Sequence, residues 1–203
     1  MVIAGLTGGI ATGKSTVSGV FKTCGAIIVD ADVIARDVVQ KGRKAWTGIV
    51  DAFGNEILLP DGGIDRPRLG EIIFNDPIRQ QLLNRIVHPE VMAETHRRLA
   101  KIEHDFPDAV VILDVPLLFE SGMDKGLSEI IVVYIPESLQ IQRLMTRNGL
   151  SQDQALARIR SQMPVEEKKR IATRVIDNSG SIDTTRTATE AMYHLLTGTA
   201  SVR

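Results

Sequence analysis

The sequence predicts an α/β fold, a parallel five-stranded sheet flanked by helices and entered through a phosphate-binding loop. Three observations carry that expectation. The segment Gly8-Gly9-Ile10-Ala11-Thr12-Gly13-Lys14-Ser15 fits G-x-x-x-x-G-K-[ST] and directly follows the apolar run Val2-Ile3-Ala4-Gly5-Leu6-Thr7. Further short apolar runs rich in β-branched residues recur at Ala26 to Val29, Ala109 to Leu113, Glu129 to Ile135 and Thr173 to Ile176, as strands buried on both faces do. Helical patterns lie between them, and alternating strands and helices imply right-handed crossovers and a parallel sheet.

The first strand runs straight into the loop. Gly8, Gly9 and Gly13 let the backbone curl so that successive N-H groups, those of Ala11, Thr12 and Thr16 among them, point at phosphate oxygens. Lys14 supplies a point charge and Ser15 a hydroxyl for Mg²⁺, and the helix from Ser15 to Lys22 adds its positive dipole end. The second strand ends in Asp30-Ala31-Asp32, on the side where open parallel sheets place ligands. Asp32 is expected to accept a proton from a substrate hydroxyl or to orient it, while Asp30 suits the N-cap of a helix over Val33 to Val39.

Residues 45–105 then break the alternation. Turn signals at Pro60-Asp61-Gly62-Gly63 and Arg66-Pro67 precede helical stretches around Leu69 to Phe74, Ile78 to Ile86 and Val91 to Lys101. The region reads as a mainly helical insertion, with His88-Pro89 marking a helix start and His88 a local hydrogen-bonding residue. The third strand ends in Leu113-Asp114, and an aspartate there can hold Mg²⁺ directly or through water. Pro116-Leu117-Leu118-Phe119-Glu120 follows, an apolar loop that either touches a substrate or covers the core.

After the fourth strand, Arg143 and Arg147 are four apart on one helix face, as suits a polyphosphate. Arg158 and Arg160 read as solvated, as does Glu166-Glu167-Lys168-Lys169-Arg170. Ser151 and Gln154 form a capping box, with Ala155, Ile159 and Met163 following at helical spacing, so residues 143–170 read as a lid. The last helix sets Ala188, Met192, Leu195 and Leu196 on one face, and the tail, residues 198–203, is expected to fray.

A chain of 203 residues, 43% apolar, suits one domain with insertions, its core near residues 1–44, 106–142 and 171–197. A formal net charge of -1 and 4% aromatic residues argue against nucleic acid as a partner. Cys24 stands alone, so neither an intrachain disulfide nor a cysteine metal cluster is available, and its four histidines show no zinc spacing. With no basic leader and no run near the roughly 20 apolar residues of a membrane span, a cytoplasmic location without membrane attachment is expected.

Taken in order, Gly5 to Ser15, Asp30-Ala31-Asp32-Val33-Ile34-Ala35-Arg36, His88-Pro89, Pro116-Leu117-Leu118-Phe119-Glu120 and Val175-Ile176-Asp177-Asn178-Ser179-Gly180 resemble the dephospho-coenzyme A kinases of the P-loop kinase superfamily. Ala11-Thr12 departs from the Gly-Ser common there; since those positions contribute mainly backbone N-H groups, phosphate binding is expected to survive. The resemblance implies ATP-dependent phosphorylation of the ribose 3'-hydroxyl of dephospho-coenzyme A, giving coenzyme A and ADP in the last step of coenzyme A synthesis. It implies a helical acceptor-binding insertion and a helical lid on a P-loop core. Catalysis would fall to Lys14, Asp32 and Arg143, and the metal to Ser15 and Asp114. Thr7, Asp32, Arg36, His88, Leu117 and Phe119 would lie on the acceptor side, with Arg147 and Asn178 on the nucleotide side and Asn178 near the adenine. A nucleoside or nucleotide kinase on the same core is the nearest alternative. A nucleotide-dependent switch is the alternative of another class, against which stands the absence of any Asn-Lys-x-Asp segment.

Overall fold

The computed structural model describes residues 1–74 and 76–200, the side chains of residues 199 and 200 apart. The chain folds as two compact units, Met1–Val29 with Ile102–Arg203, and Asp30–Lys101.

The first unit carries the sheet. Strand β1 (Val2–Gly8) enters the glycine loop, which opens helix α1 (Lys14–Thr23) and leads to β2 (Ile27–Asp30). Helix α1 ends in a Schellman motif: the Ala26 N-H donates to Phe21 O at 3.0 Å and the Gly25 N-H to Lys22 O at 3.1 Å. Gly25 takes φ 105 there, so Ala26 still belongs to the cap and the strand starts one residue later than its apolar run suggests. Strands β3 (Val110–Asp114), β4 (Glu129–Tyr134) and β5 (Arg174–Asp177) complete a five-stranded parallel sheet in the order β2-β3-β1-β4-β5. The order reverses beside β1, and the crevice at such a reversal, outside the carboxyl ends of the strands, is where open α/β sheets take ligands. The glycine loop opens there.

Ala4 and Leu6 from β1 are fully buried against Val17 and Phe21 of α1, Ile112, Ile131 and Ile176 of the neighbouring strands, and Leu196. Leu196 belongs to α9 (Ile182–Ala200). On that helix Ala188 and Met192 face the core with Leu196, whereas Leu195 is 52% exposed; one residue of rotation, about 100°, carries it off the buried stripe. Helix α9 reaches Ala200, so residues 198–200 of the expected tail are helical and 201–203 lie outside the described residues.

The second unit holds α2 (Ala31–Asp37), α3 (Lys44–Phe53), a 3-10 turn at Asn55–Ile57, α4 (Arg66–Phe74) and most of α5 (Pro77–Asp105). Ile49, Phe53, Ile57 and Leu69 form its own apolar cluster, with Ile72, Leu83 and Ile86 packed on it. The Pro60-Asp61-Gly62-Gly63 turn is closed by an isolated bridge between Leu58 and Ile64, and the Trp46 indole N-H donates to Gly62 O at 3.0 Å. The helical stretches expected on either side of His88-Pro89 are one helix, α5, with Pro89 inside it. Proline forfeits one backbone hydrogen bond and crowds the preceding turn, a penalty near 3 kcal/mol, and here the long helix continues through it, with Val91 and Thr95 buried just beyond.

Back in the first unit, α6 (Glu137–Asn148), α7 (Gln152–Arg160) and α8 (Val165–Ile171) follow β4. The capping box on α7 forms as expected: the Gln154 N-H donates to Ser151 Oγ at 3.2 Å and the Ser151 N-H to Gln154 Oε1 at 3.0 Å. Ala155 and Ile159 are buried with Leu144 against Ile10 and Ala11 of the glycine loop. Met163 does not extend that stripe. It sits beyond the end of α7 in the turn before α8, which Pro164 opens.

Candidate active site

A cavity of about 710 Å³ opens on the glycine loop, lined by residues 8–16 and by Pro116, Leu139, Gln142, Arg143, Thr146, Arg147 and Gln162. That volume is ordinary for a small-molecule site. Two loop residues adopt the left-handed conformation, Gly13 at φ 87 and Ala11 at φ 63. Gly13 has a second reason to be glycine, since a Cβ there would stand 2.1 Å from Asn178 Nδ2. For Ala11 the left-handed conformation costs about 1–2 kcal/mol, which its surroundings must hold in place. Thr12 does more than offer a backbone N-H. Its buried hydroxyl donates to Gly9 O at 2.9 Å and its own carbonyl accepts from Asn178 Nδ2 at 2.7 Å.

Lys14, the first residue of α1, forms an ion pair and hydrogen bond with Asp114 at the end of β3, whose side chain is only 7% exposed. Ser15 lies beside it on the cavity wall. A hydroxyl and a carboxylate at the mouth of a phosphate loop are hard oxygen donors, the donor set Mg²⁺ takes when phosphates and water fill its remaining positions. Among the described residues no group of three or more His, Cys, Asp or Glu could hold a metal by itself.

Arg143 and Arg147 of α6 both line the cavity. Arg143 is fixed from behind, donating through Nη2 to Asn178 O at 2.9 Å and through Nη1 to Ala11 O at 3.5 Å. A guanidinium carries five N-H donors, so these two contacts orient it without exhausting it. Arg147 donates from Nε to Asn148 Oδ1 at 2.9 Å. Asn178 itself is 8% exposed and does not line the cavity. Its amide is satisfied at both ends, by Thr12 O and by the Thr185 hydroxyl, which donates to Oδ1 at 2.6 Å.

The loop after β3 is turn-rich and pinned by fully buried Leu118. Leu117 is 42% exposed on it and Phe119 half-buried. Thr7 is fully buried, and its hydroxyl donates to Pro116 O at 3.0 Å. Lys168, expected on a solvated face, is instead 0% exposed: its ammonium pairs with Glu120 Oε1 at 2.8 Å and donates to Pro116 O at 3.3 Å. Its neighbours in the charge run do lie outside, Glu166 accepting from the Tyr134 hydroxyl at 2.5 Å and Lys169 standing 3.8 Å from the Tyr134 ring centroid. The buried position of Lys168 has a trace in the sequence, three residues after buried Val165 on a short helix. Burial pushes the Glu120 carboxyl up, but the hydrogen bonds from Lys168, its own N-H and the Met163 N-H outweigh it and hold it below the usual carboxylate range. Gln140, Gln142, Thr146 and Gln162 around the loop carry no motif, and nothing in the pattern singles them out. Cys24 is half-buried, and burial first, then the Glu190 charge, push its thiol pKa up, away from the thiolate form that reacts.

Lys14, Ser15, Arg143, Arg147, Asp114 and the glycine loop thus come together in the first unit. Asp32, Arg36 and His88 belong to the second. Asp30 caps α2, its carboxylate accepting from the Asp32 N-H at 2.8 Å and the Val33 N-H at 3.1 Å. That leaves the exposed Asp32 side chain free of the capping task, with exposed Arg36 four residues along α2. His88 is exposed in a 440 Å³ groove along α5 with Gln81, Asn84, Arg85 and Pro89. Among the described residues no helix is long and apolar enough to cross a membrane.

The family model described as dephospho-CoA kinase matches residues 2–184. A dephospho-CoA kinase of Carboxydothermus hydrogenoformans is 52% identical over 184 residues, covering 91% of this chain and 89% of that one. Among solved structures, TT1252 from Thermus thermophilus superposes with a TM-score of 0.78 at 34% identity, covering 96% and 97% of the two chains. Dephospho-CoA kinase from Campylobacter jejuni gives a TM-score of 0.77 at 29% identity, covering 97% and 98%.

Proposed function

Because this chain belongs to the dephospho-CoA kinase family, we propose that its glycine loop holds ATP and that the γ-phosphoryl passes to the ribose 3'-hydroxyl of dephospho-coenzyme A, giving coenzyme A and ADP. The observation that carries this reading is the cavity itself. A phosphate loop, an ion-paired lysine and two arginines from one helix converge on a single space of nucleotide size.

Phosphoryl transfer leaves a protein little covalent work, so positioning and charge stabilisation dominate. Loop N-H groups and Lys14 hold the β- and γ-phosphates, and Arg143, fixed by Asn178 O, meets the charge on the transferring group. An arginine in that role contributes roughly 10³ to 10⁵ in rate, about 4 to 7 kcal/mol. Ser15 and Asp114 would hold Mg²⁺, which would supply neutralisation of phosphate charge when bound with the nucleotide. Asp32 orients the attacking hydroxyl or takes its proton, the second a role worth roughly 10² to 10⁴. Arg36, His88, Leu117 and Phe119 serve the acceptor, Arg147 the nucleotide. Residues 143–170 act as the lid, excluding water from the triphosphate. The work is that of a cytoplasmic metabolic enzyme.

The deciding experiment incubates the protein with Mg-ATP and dephospho-coenzyme A, a nucleoside panel, or no acceptor, and follows ADP together with the phosphorylated product. Coenzyme A formed only with dephospho-coenzyme A is the expected result. Preferred phosphorylation of a nucleoside, or ADP release independent of acceptor, would overturn the assignment.

A further inference from the structure

The two peptides that flank Ile10 are gripped from outside the glycine loop. The Ile10 N-H donates to Gln162 Oε1 at 3.0 Å, and Ile10 O accepts from Gln140 Nε2 at 2.7 Å. The next residue is Ala11, held at φ 63. A non-glycine residue in that conformation persists only where the surroundings over-determine it; the two glutamines do so on its N-terminal side, and Arg143 on Ala11 O and Asn178 on Thr12 O on the other.

Gln162 is itself held. The N-H of the adjacent Met163 donates to Glu120 Oε1 at 3.0 Å, the same oxygen that pairs with Lys168 at 2.8 Å. Lys168 Nζ also donates to Pro116 O, which accepts from the Thr7 hydroxyl at the end of β1. With the peptide link between Gln162 and Met163, the bonds close a ring that leaves β1 at Thr7, passes through Pro116, Lys168, Glu120, Met163 and Gln162, and enters the glycine loop at Ile10. Stability alone is weak grounds for a lysine at 0% exposure, because well-packed apolar residues in place of a buried ion pair are often neutral or stabilising. What the charged pair supplies is direction: three hydrogen bonds of fixed geometry on one small set of atoms.

We propose that the Glu120–Lys168 pair is a positioning pair for phosphoryl transfer, which acts through Gln162 to hold the glycine loop, strained at Ala11, in its phosphate-binding shape. Neither residue of the pair lines the cavity on the glycine loop. It sets the turn between α7 and α8 against the loop, so the lid and the phosphate site are registered through Gln162. The inference rests on the kinase reading above for the step it serves.

The test compares Gln162→Met, Lys168→Met and the double variant Glu120→Met/Lys168→Met. Gln162→Met removes the acceptor and keeps the length; kcat is expected to fall about tenfold or more with KM for dephospho-coenzyme A unchanged, and Tm to stay within about 5 °C. Lys168→Met strands a carboxylate and should lower Tm sharply. The double variant should regain Tm while kcat stays down about tenfold, which a merely structural pair would not produce. Wild-type kcat in Gln162→Met, or recovery of both Tm and kcat in the double variant, overturns the proposal. A double variant that does not fold leaves the decision to Gln162→Met. Should the wild type itself not turn over, the functional reading fails alone, and the clamp is read from Mg-ATP affinity. Gln162→Met is then expected to bind about threefold or more weakly, and equal affinity overturns it.

Discussion

Asn178→Ala separates two roles for one residue, because its side chain is committed to hydrogen bonds within the protein. The substitution removes the donor to Thr12 O, a 2.7 Å hydrogen bond inside the protein, and leaves a carbonyl without its partner on a residue that is 0% exposed. An orphaned buried acceptor costs about 1–3 kcal/mol. It also removes the acceptor for the Thr185 hydroxyl, but Ser181 O stands 3.2 Å from that oxygen and can take the proton. This second loss therefore falls at the low end of the usual 0.5–1.5 kcal/mol, roughly 0.5. With a small term for the vacated volume the sum is about 2–4 kcal/mol, and for a chain of this size each kcal/mol lowers Tm by about 2–4 °C. Thermal unfolding of the nucleotide-free protein, followed by far-ultraviolet circular dichroism, should show Tm lower by roughly 5–15 °C. Arg143 leans on the backbone carbonyl of Asn178, so part of its placement survives and kcat should fall by less than in an Arg143 variant. A Tm shift under about 2 °C with a raised KM for ATP would refute the reasoning, and would mean that the Asn178 side chain works as a nucleotide contact instead.

Ala11→Gly relieves about 1–2 kcal/mol of left-handed strain at φ 63 and gives back about 0.4–1 kcal/mol to the unfolded chain, so calorimetry should show Tm unchanged or raised by up to about 6 °C; a lower Tm would mean that the loop is not strained there. Arg143→Ala should lower kcat by about 10³-fold or more with circular dichroism unchanged, and a fall in Tm with normal kcat would make Arg143 structural. Glu120 titrates below its usual range, so its contribution to stability is complete above the unfolded value of about 4.3 and is lost as pH falls through the lower folded value. Tm measured between about pH 3 and pH 6 should therefore fall less steeply in Glu120→Gln than in the wild type, and parallel curves would contradict the lowered titration.

The parts of the site that were legible in the sequence are those whose chemistry is local. Gly8 to Ser15 announces itself because one backbone curl needs all of its residues at once, and the Ser151 and Gln154 capping box or the Asp30 cap needs only a turn of helix. The sheet was legible to within a residue, because β1, β3 and β4, buried on both faces, cannot hide their apolar runs, and the edge strands β2 and β5 keep theirs although only one residue of each is buried. Ala26 lies outside its strand because it finishes the cap of α1. Pro89 shows the limit of local signals. Its ring argues for a helix boundary, while the residues on both sides continue one 29-residue helix.

What stayed illegible is whatever depends on residues brought together from far apart. Lys168 reads as surface because four charged neighbours surround it, and only Glu120 and Pro116, 48 and 52 residues back, make its burial tolerable. Gln140 and Gln162 have no periodicity or motif at all, since a neutral amide can serve any backbone group it meets. Asn178 is the instructive case: the residue type and position were singled out, yet the structure engages its amide with Thr12 and Thr185, behind the glycine loop. A motif marks which atoms a site needs; which of them face the ligand and which hold the others is decided by hydrogen bonds between segments. That division has a physical consequence for this chain. The loop turns left-handed at Ala11 without a glycine there, and its shape is held from Gln140, Gln162 and Asn178, so the tolerance of position 11 to a side chain and the cost expected of substituting those three are two sides of the same free energy.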